Sequence, residues 1–495
     1  MKLQDLINSK IFLHSKINIS GLSENSKEIK KNYIFFLKDT LKTKEAYIKE
    51  AIQKGASLII YCKNNHIDIN KYNDSCLFYK VNNINESMSN LARKFYKIKK
   101  LDAKIIGITG TNGKTSVSDF IGQLKKIKKE KCGIIGTSGS GIYPNLKNKE
   151  LTTPNIININ KNIRSFINKD AETITMEVSS HGIDQNRIRG VEFDTVVFTN
   201  LSQDHLDYHK TMSSYFNVKV KLFTEYKSKK KIICIDGTYG KKIYNILKKE
   251  NNLLTVSINN NKADYYASDI NFLDSGINFN INSKYGKRKI STKLYGKFSI
   301  INLLISIATV ASNKKEYNLL IDNISKIKHV NGRMNKYNSK GRPITFIDFA
   351  HTPEAINEVL ISTKKHFINK KIITVFGCGG NRDSLKRKLI GKVVSNNSDK
   401  IIITNDNPRN EEPKMIVNDI ISGFKDLTKY KIIFDRKKAI KKALELKNSE
   451  NIVLILGKGN EEFQIVKNKK ILHSDDKVVK KILKLWKNIH YQKSQ

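Results

Sequence analysis

The sequence lacks the features that mark secreted, membrane-embedded and disulfide-stabilised proteins. Its first residues, Met1-Lys2-Leu3-Gln4-Asp5-Leu6, do not form the apolar run of a signal peptide. No stretch approaches the roughly 18 consecutive apolar residues that a membrane-spanning helix needs. The five cysteines are scattered, odd in number and in no metal-ligand spacing. These absences predict a cytoplasmic protein in a reducing compartment.

Positive charge is what the sequence has in excess, with 90 lysines and arginines against 46 acidic residues and a net charge of +44. The lysines are spread along the whole length, arginines are few, and no interleaving of aromatic and basic residues accompanies them. The charge therefore reads as a lysine-rich compositional bias, and no specific nucleic-acid function is expected. A basic nucleic-acid-binding protein stays open as the alternative outside the enzymes.

A length of 495 residues is too great for one hydrophobic core and predicts several domains. Short β-like runs alternate with helical stretches up to about residue 100, and strand-loop-helix alternation continues to about residue 330. Beyond that point, residues 344–347, 372–376, 400–404 and 452–456 are apolar runs separated by helix-length segments. Such runs are typical of strands buried on both faces of a mostly parallel sheet, and ligands collect at the carboxyl ends of such strands.

A phosphate-binding loop follows the strand predicted at residues 104–109. The loop contains Gly110, Thr111, Asn112, Gly113, Lys114, Thr115 and Ser116, and apolar residues at helical spacing come after it. The glycines allow backbone N–H groups to face an anion, Lys114 would neutralise the β- and γ-phosphates, and Thr115 would hold Mg²⁺. The strict motif has glycine at position 108, where this chain has Ile108. The loop by itself fits a kinase, a motor or a GTPase equally well.

Acidic and imidazole side chains follow two further predicted strands. Glu177 lies at the end of the run at 173–178, and His205 follows the run at 195–199. Groups of this kind at adjacent strand ends could complete a Mg²⁺ site beside the phosphate loop.

Taken in order, these segments resemble the Mur ligase family, which builds the peptidoglycan stem peptide and shares its architecture with folylpolyglutamate synthetase. The resemblance covers nearly the whole chain and rests on residues 110–115, 152–154, 176–182, 200–209, 215–223, 332–334, 348–353, 377–383 and 406–409. It implies an α/β protein of three domains. They are a small N-terminal UDP-MurNAc-binding domain (1–100), a central P-loop ATPase domain with a mostly parallel sheet (101–331), and a C-terminal Rossmann-like, doubly wound domain (332–495).

The resemblance also implies roles for residues around the nucleotide. Lys219 matches the lysine that family members carbamylate with CO₂ to N6-carboxylysine, an anionic ligand suited to Mg²⁺. Without the family frame, Lys219 would read as a solvated helix residue. Glu177 and His205 match the other protein partners of the metal, and together with Lys114 these are the implied catalytic residues. Asn302, Arg333 and Asp348 match ATP contacts.

The implied activity is ATP-dependent amide-bond formation through an acyl phosphate, in cytoplasmic peptidoglycan precursor synthesis, by a monomer with no membrane partner. Thr152, Thr153, Ser179, Gln185 and Arg187 match residues that hold the UDP-MurNAc-dipeptide. Ser26 is the one kept residue of the family's uridine-binding Asp-Ser-Arg segment, in which Asn25 and Lys27 replace the charged pair.

The incoming amino acid is expected to bind in the third domain. Family members with the tetrapeptide Asp406-Asn407-Pro408-Arg409 add meso-diaminopimelate, whereas lysine-adding members lack its arginine. Arg409 and Arg382 can each clamp a carboxylate, and Asp406, Asn407 and Glu461 can receive an ammonium group. Gly457 belongs to the same implied site, although Asn460 replaces the family's usual histidine. A lysine-adding sibling is the nearest alternative, and folylpolyglutamate synthetase is a more distant one.

Overall fold

The structure is a computed structural model. It describes residues 1–7, 15–38, 44–63, 67–72, 76–99, 102–147, 151–445, 450–467 and 469–491, with side chains as far as residue 483 in the last helix. None of the helices in these ranges combines the length and apolar character that crossing a membrane requires. The expected domain boundary at residues 100 and 101 lies outside the described residues, and the three-domain division stays a prediction.

The N-terminal elements, in chain order, are α1 (Leu3–Leu6), β1 (Gly21–Ser23), β2 (Tyr33–Leu37), α2 (Lys44–Gln53), β3 (Ala56–Cys62), β4 (Leu77–Val81) and α3 (Ile84–Phe95).

The elements that follow, to residue 322, are β5 (Lys104–Thr109), α4 (Lys114–Ile127), β6 (Cys132–Gly136), β7 (Gly139–Ile142), β8 (Asn145–Lys147), α5 (Ile156–Ile167), β9 (Thr173–Glu177), α6 (Ser180–Asp184), β10 (Thr195–Phe198), α7 (Leu206–His209), α8 (Met212–Thr224), β11 (Lys230–Cys234), α9 (Thr238–Leu247), β12 (Leu253–Ser257), β13 (Tyr265–Leu273), β14 (Gly276–Ser283), β15 (Gly286–Thr292), α10 (Lys297–Val310) and α11 (Lys314–Asp322).

The C-terminal elements are β16 (Asn335–Tyr337), β17 (Ile344–Asp348), α12 (Pro353–His366), β18 (Lys371–Phe376), α13 (Leu385–Asn397), β19 (Lys400–Ile403), α14 (Pro413–Ile421), β20 (Tyr430–Ile432), α15 (Arg436–Leu444), β21 (Asn451–Leu456), β22 (Phe463–Val466), β23 (Lys469–Leu472) and α16 (Asp475–Tyr491).

The chain divides into two compact units. The first contains residues 1–107, 130–194 and 224–228, and the second contains 108–129, 195–223 and 229–495. The first unit holds a parallel sheet of order β1-β2-β3-β4 and a second run of strands of order β9-β6-β7-β8. In that second run β6 pairs with β9 in parallel, whereas β6, β7 and β8 pair antiparallel.

The second unit contains strands in the order β10-β11-β12-β13-β14-β15. Strand β5 is divided, with residues 104–107 in the first unit and 108–109 in the second. The pairings from β10 to β13 are parallel, and β13, β14 and β15 form an antiparallel meander. The expected mostly parallel sheet is therefore confirmed for its central strands, with antiparallel strands added at the edge.

The C-terminal sheet of the second unit has the order β16-β17-β21-β18-β19-β20, with only β16 antiparallel. Alternate residues of each strand enter different hydrophobic clusters: Phe346 packs with α12, α13 and α14, and Ile347 packs with α15 and α16. Burial on both faces explains why these strands are continuous apolar runs in the sequence. The doubly wound architecture is confirmed.

Helix α12 begins at a well-defined cap. The side chain of Thr352 accepts a hydrogen bond from the Ala355 backbone N–H, and Pro353 occupies the first turn. A threonine cap followed by proline is a favourable start for a helix, because proline lacks the N–H that would otherwise need a partner. The helix starts just past the carboxyl end of β17, next to Asp348.

Candidate active site

The phosphate loop joins β5 to α4 and is bound by the residues that follow β10. Gly110 and Gly113 have φ values of 145° and 89°. A Cβ at Gly110 would overlap the Thr199 hydroxyl, and one at Gly113 would lie 2.6 Å from Asn302 Oδ1. Thr199 Oγ1 donates to the Asn112 carbonyl at 2.6 Å. The loop can therefore take this path only with glycine at both positions.

Lys114 begins α4, and its ammonium group turns back over the loop. Its Nζ donates to the carbonyl oxygens of Gly110 at 2.8 Å and Thr111 at 2.9 Å. Thr115 is buried beside it, and Ser116 faces the adjoining cavity. Backbone N–H groups and a cation at the start of a helix form an arrangement suited to phosphate.

Lys219 on α8 is buried directly beneath the loop, with only 1% of its surface exposed. Its Nζ donates to Gly110 O at 3.0 Å and lies 3.3 Å from Thr109 Oγ1. Burial first, and then the charge of Lys114, lower the pKa of the Lys219 amine well below its usual value. An uncharged amine is the nucleophilic form of lysine. Without the family resemblance, Lys219 was expected to be a solvated helix residue. It is buried instead, because α8 directs this side chain into the protein.

A cavity of about 300 Å³ adjoins the loop. Its walls include Asn112, Gly113 and Ser116 from the loop region, Asn302 from α10, and Arg333 with Asp348 from the C-terminal segment. The structure thus brings together the residues that were expected to bind ATP.

Asp348 and Arg333 are held in fixed positions at this cavity. The Asp348 carboxylate accepts hydrogen bonds from Met334 N at 2.8 Å and Ala350 N at 2.7 Å. Burial raises the pKa of Asp348, while Arg333 opposes that shift. The Arg333 guanidinium lies 4.2 Å from the centroid of the Phe349 ring. Its planar face is therefore supported by an aromatic ring.

The segment between β10 and α8 contains His205 and, beside it, Asp204, which was not among the site residues expected from the sequence. His205 has a φ of 57° and caps α7. Beside it, Asp204 is 5% exposed, and Lys386 Nζ of α13 lies 3.2 Å from Asp204 Oδ1. His205 Nε2 lies 3.4 Å and His351 Nε2 lies 3.6 Å from Asp204 Oδ2. A buried carboxylate thus joins the segment after β10 to the C-terminal sheet region.

The ionisation of Asp204 follows from these neighbours. Burial alone would raise its pKa, but the nearby His351 imidazole and the positive charge of Lys386 hold it well below its usual value. Nothing in the sequence singled out Lys386 among so many lysines, and Asp204 was visible only as the neighbour of His205.

In the first unit, Glu177 is the centre of a polar cluster. It is 1% exposed, and its carboxylate accepts from Thr137 N at 2.9 Å and from Thr137 Oγ1 at 3.1 Å. The Thr137 and Thr152 hydroxyls lie 3.1 Å apart. Thr153 Oγ1 donates to the Glu177 carbonyl at 2.8 Å.

The remaining residues expected to bind the UDP-MurNAc-dipeptide extend this cluster. Thr153 Oγ1 lies 3.0 Å from Ser179 Oγ, and Arg187 Nη1 donates to Thr153 O at 3.0 Å. Arg187 Nη2 donates to Gln185 Oε1 at 2.6 Å. Ser26 differs, because among the described residues its hydroxyl bonds to Glu50 Oε2 at 2.5 Å. Five of the six expected residues are therefore brought together.

At the carboxyl ends of the C-terminal strands, two arginines lie close to one glycine. A Cβ at Gly379 would lie 2.9 Å from Arg409 Nη1 and 3.8 Å from Arg382 Cγ. Burial first, and then the charge of Arg382, lower the pKa of the Arg409 guanidinium. Two like charges held near each other favour an anion between them.

A set of amide, carboxylate and ammonium groups adjoins these arginines. Asn407 Nδ2 donates to Glu461 Oε2 at 3.0 Å, and Lys458 Nζ donates to the same oxygen at 2.6 Å and to Asn407 Oδ1 at 3.0 Å. Gly457 has a φ of 109°, and a Cβ there would lie 2.8 Å from Asp406 Oδ2. Pro408 precedes Arg409, whose φ is 52°. Lys458 was not among the expected site residues, although it lies between Gly457 and Glu461.

Comparison with known families gives the class of protein that this fold and site define. The Mur ligase middle domain matches residues 108–310, and the Mur ligase glutamate ligase domain matches residues 332–459. The chain belongs to the Mur ligase family.

Individual ligases of this family are similar to the chain over almost its whole length. The UDP-N-acetylmuramoyl-L-alanyl-D-glutamate–2,6-diaminopimelate ligase of Wigglesworthia glossinidia brevipalpis is 41% identical over 97% of this chain and 99% of its own length. The ligase of the same name from Aquifex aeolicus is 39% identical over 94% of each chain. A solved structure of such a ligase superposes with a TM-score of 0.68 at 28% identity, covering 98% of this chain and 99% of the other. As a Mur ligase, the chain is an ATP-dependent ligase.

Proposed function

We propose that the chain adds meso-diaminopimelate to the D-glutamate carboxylate of UDP-N-acetylmuramoyl-L-alanyl-D-glutamate, as a cytoplasmic monomer in peptidoglycan precursor synthesis. Relatives of that named activity match almost the whole chain. The observation that carries the choice of amino acid is that Arg382 and Arg409 both lie close to Gly379. Diaminopimelate has a second amino-acid head with its own carboxylate, which lysine lacks, and paired guanidinium groups suit that carboxylate.

The ammonium of the same head would meet the oxygen atoms of Asp406 and Glu461. Glu461 already accepts from Asn407 and Lys458, so its carboxylate is held in position before the substrate arrives. Lysine would leave Arg409 without an anion, which is costly because its guanidinium group is half-buried, whereas Arg382 is exposed and adds less to this penalty. The site therefore favours diaminopimelate by penalising lysine.

At the other end of the reaction, the carboxylate of the bound dipeptide attacks the γ-phosphate of ATP, the bond between the γ-phosphorus and the β,γ-bridging oxygen breaks, and ADP and an acyl phosphate are formed. Lys114 and the loop N–H groups stabilise the charge that develops on the transferring phosphoryl group. Arg333 and Asp348 line the same cavity and hold the nucleotide from the C-terminal side. The amine of diaminopimelate then attacks the acyl phosphate, phosphate leaves, and an amide bond is formed.

The Thr115 hydroxyl and a carbamate on Lys219 would suit Mg²⁺, which prefers oxygen ligands. Among the described residues, no group of three or more His, Cys, Asp or Glu side chains is arranged to hold a metal. The proposed donors in the second unit are instead the Thr115 hydroxyl, His205 and the two oxygens that a carbamate on Lys219 would supply, and a role for Glu177 of the first unit follows from the family resemblance alone. When bound, Mg²⁺ would withdraw charge from the phosphates. Burial lowers the pKa of the Lys219 amine well below its usual value, which favours the uncharged form that reacts with CO₂.

The dipeptide substrate is assigned to the first unit. Thr152, Thr153 and Ser179 offer hydroxyl groups, and Arg187 offers a guanidinium group held by Gln185. Hydroxyl donors together with one cation suit a sugar, a peptide and a carboxylate. Ser26 is proposed to contact the uridine separately.

One assay tests this proposal. The purified chain is incubated with ATP, Mg²⁺ and UDP-N-acetylmuramoyl-L-alanyl-D-glutamate, with meso-diaminopimelate, lysine or no amino acid, and the products are resolved by mass. We expect the tripeptide product and ADP with diaminopimelate only. A product with lysine alone would indicate the lysine-adding activity, and no product with either amino acid would refute the proposed function.

A further inference from the structure

Three consecutive backbone N–H groups at the start of α10 are satisfied by side chains from outside that helix. Tyr295 N donates to His329 Nε2 at 2.7 Å, and Gly296 N donates to His366 Nε2 at 3.0 Å. Lys297 N donates to Ser362 Oγ at 3.3 Å. The first N–H groups of a helix have no partner within the helix, and a residue at the N-cap normally supplies one. Here Gly296 occupies the N-cap and has no side chain to offer.

The acceptors come from a different part of the family architecture. Helix α10 lies in the region matched by the middle domain, whereas Ser362 and His366 lie on α12, in the region matched by the glutamate ligase domain. They are four residues apart, hence one turn apart on the same face. Ser362 is 1% and His366 is 2% exposed, so water cannot replace them as acceptors.

The face of α12 that caps α10 is continuous with the wall of the nucleotide cavity. Glu354, Glu358, Ser362 and His366 recur at intervals of four along α12, and the first two line the cavity. From α10, Lys297, Phe298, Ile301 and Asn302 line the cavity within two turns of the capped end. The cap therefore links two helices that both line the nucleotide cavity.

His366 can accept this hydrogen bond only as a neutral imidazole. Its Nδ1 donates to the Leu273 carbonyl at 2.7 Å, which leaves the Nε2 lone pair for Gly296. Phe272 and Tyr295 pack against the ring at centroid distances of 5.1 and 5.0 Å.

The charged and titratable groups that face the His366 ring agree with this state. They are Lys336, Asp274 and His329. Burial first lowers the pKa of His366, the Leu273 hydrogen bond and the charge of Asp274 oppose that shift, and Lys336 adds to it, so the pKa is lowered overall. Burial, and then His366 itself, lower the pKa of His329 to about 3.

We propose that Ser362 and His366 cap α10 from the neighbouring family domain, assisted by His329, and that this cap positions α10 for nucleotide binding. His366 is then a positioning residue for the ligase reaction, active in its neutral Nδ1–H tautomer, and it acts on ATP through Gly296 and α10. The expected effect on nucleotide binding rests on the proposed function, whereas the existence of the capping hydrogen bonds does not depend on it.

The test compares His366→Phe, which keeps an aromatic ring but loses both hydrogen bonds, with His366→Gln, which can keep an acceptor and a donor. Dissociation constants for Mg²⁺-ADP are measured by calorimetry at pH 7.5 and 5.5 on the full chain. Amide exchange is followed by mass spectrometry in peptides that contain Tyr295 and Gly296. We expect His366→Phe to weaken ADP binding about tenfold and to accelerate exchange of Gly296 at least tenfold.

His366→Gln should stay within about twofold of wild type at pH 7.5 and should lose less affinity than wild type on acidification. If His366→Phe does not fold, Ser362→Ala is compared with the wild type instead, and we expect it to bind Mg²⁺-ADP about threefold more weakly. Its matched control is Ser395→Ala, a buried helix serine whose hydroxyl has no partner among the described residues.

Unchanged ADP binding and unchanged exchange in folded His366→Phe would overturn the proposal. So would a His366→Gln variant as impaired as His366→Phe, because ring packing would then explain the effect. If the wild-type chain does not bind ADP, the proposed function fails, and the exchange measurement still decides whether the cap exists.

Discussion

The buried pair formed by Lys386 and Asp204 gives the most direct test of how the C-terminal region is held to the phosphate-loop region. The perturbation is Lys386→Met, which keeps most of the aliphatic volume and removes the ammonium group. Asp204 would then remain buried, at 5% exposure, without its strongest cationic neighbour. Its pKa would rise from its depressed value, since burial would no longer be opposed by the Lys386 charge.

The expected loss of unfolding free energy in Lys386→Met depends on the groups that remain around the Asp204 carboxylate. Removing one partner of a fully buried ion pair costs about 3–5 kcal/mol of unfolding free energy. The cost here should fall at the lower end, about 3 kcal/mol, because two histidines stay close to Asp204. Those are His351 at 3.6 Å and His205 at 3.4 Å. Adding Asp204→Asn to the Lys386→Met variant should recover much of the loss, since the isolated charge is then gone.

The assay is urea denaturation at pH 7.5 of the wild type, Lys386→Met, Asp204→Asn and the double variant. We expect a coupling energy of about 2 kcal/mol between the two positions. Additivity of the two single effects to within about 0.5 kcal/mol would show that the pair does not interact across the two regions, and the reasoning would be wrong.

Three further predictions concern separate parts of the molecule. Lys219→Ala should lower kcat at least 100-fold without loss of the fold, whereas Lys221→Ala on the same helix should leave kcat near normal; similar rates in both would refute the carbamate role. Arg409→Lys should raise the KM for diaminopimelate about 10- to 100-fold, because one ammonium cannot replace a bidentate guanidinium, and an unchanged KM would remove Arg409 from the site. For His329, the unfolded chain takes up a proton below pH about 6.5 and the folded chain only near pH 3. The free energy of unfolding should therefore fall on acidification between these values by up to about 1.4 kcal/mol per pH unit. In His329→Gln, the urea-denaturation midpoint should depend less on pH between pH 7 and 5 than it does in the wild type. The same pH dependence in both proteins would contradict this prediction.

The sequence was most informative where burial and local geometry act on the same residues. Runs at 344–347, 372–376, 400–404 and 452–456 are confirmed as parts of β17, β18, β19 and β21, because both faces of that sheet are covered by helices. The phosphate loop is confirmed as a strand-to-helix turn. Its departure from the strict motif also has an explanation: Ile108 is fully buried within β5, so this position belongs to the core of the sheet rather than to the loop.

Other features depend on contacts between residues far apart in the chain, which periodicity does not reveal. The antiparallel strands β14 and β15 were not anticipated, although the fold class was. Lys386 and Lys458 were hidden by the lysine-rich composition, because their burial is decided by tertiary packing and not by their neighbours in the sequence. The functional roles assigned to the site residues remain predictions, even where the structure brings those residues together.

The capped start of α10 has a consequence for exchanging parts between ligases. A middle domain separated from its glutamate ligase domain would expose the N–H groups of Gly296 and Lys297 without acceptors, at a position that is otherwise buried. A chimera that takes residues 332–459 from another Mur ligase would therefore need hydrogen-bond acceptors at the positions of Ser362 and His366 in the helix that corresponds to α12. The two domains of this chain are matched to each other at that point, so they are not freely interchangeable modules.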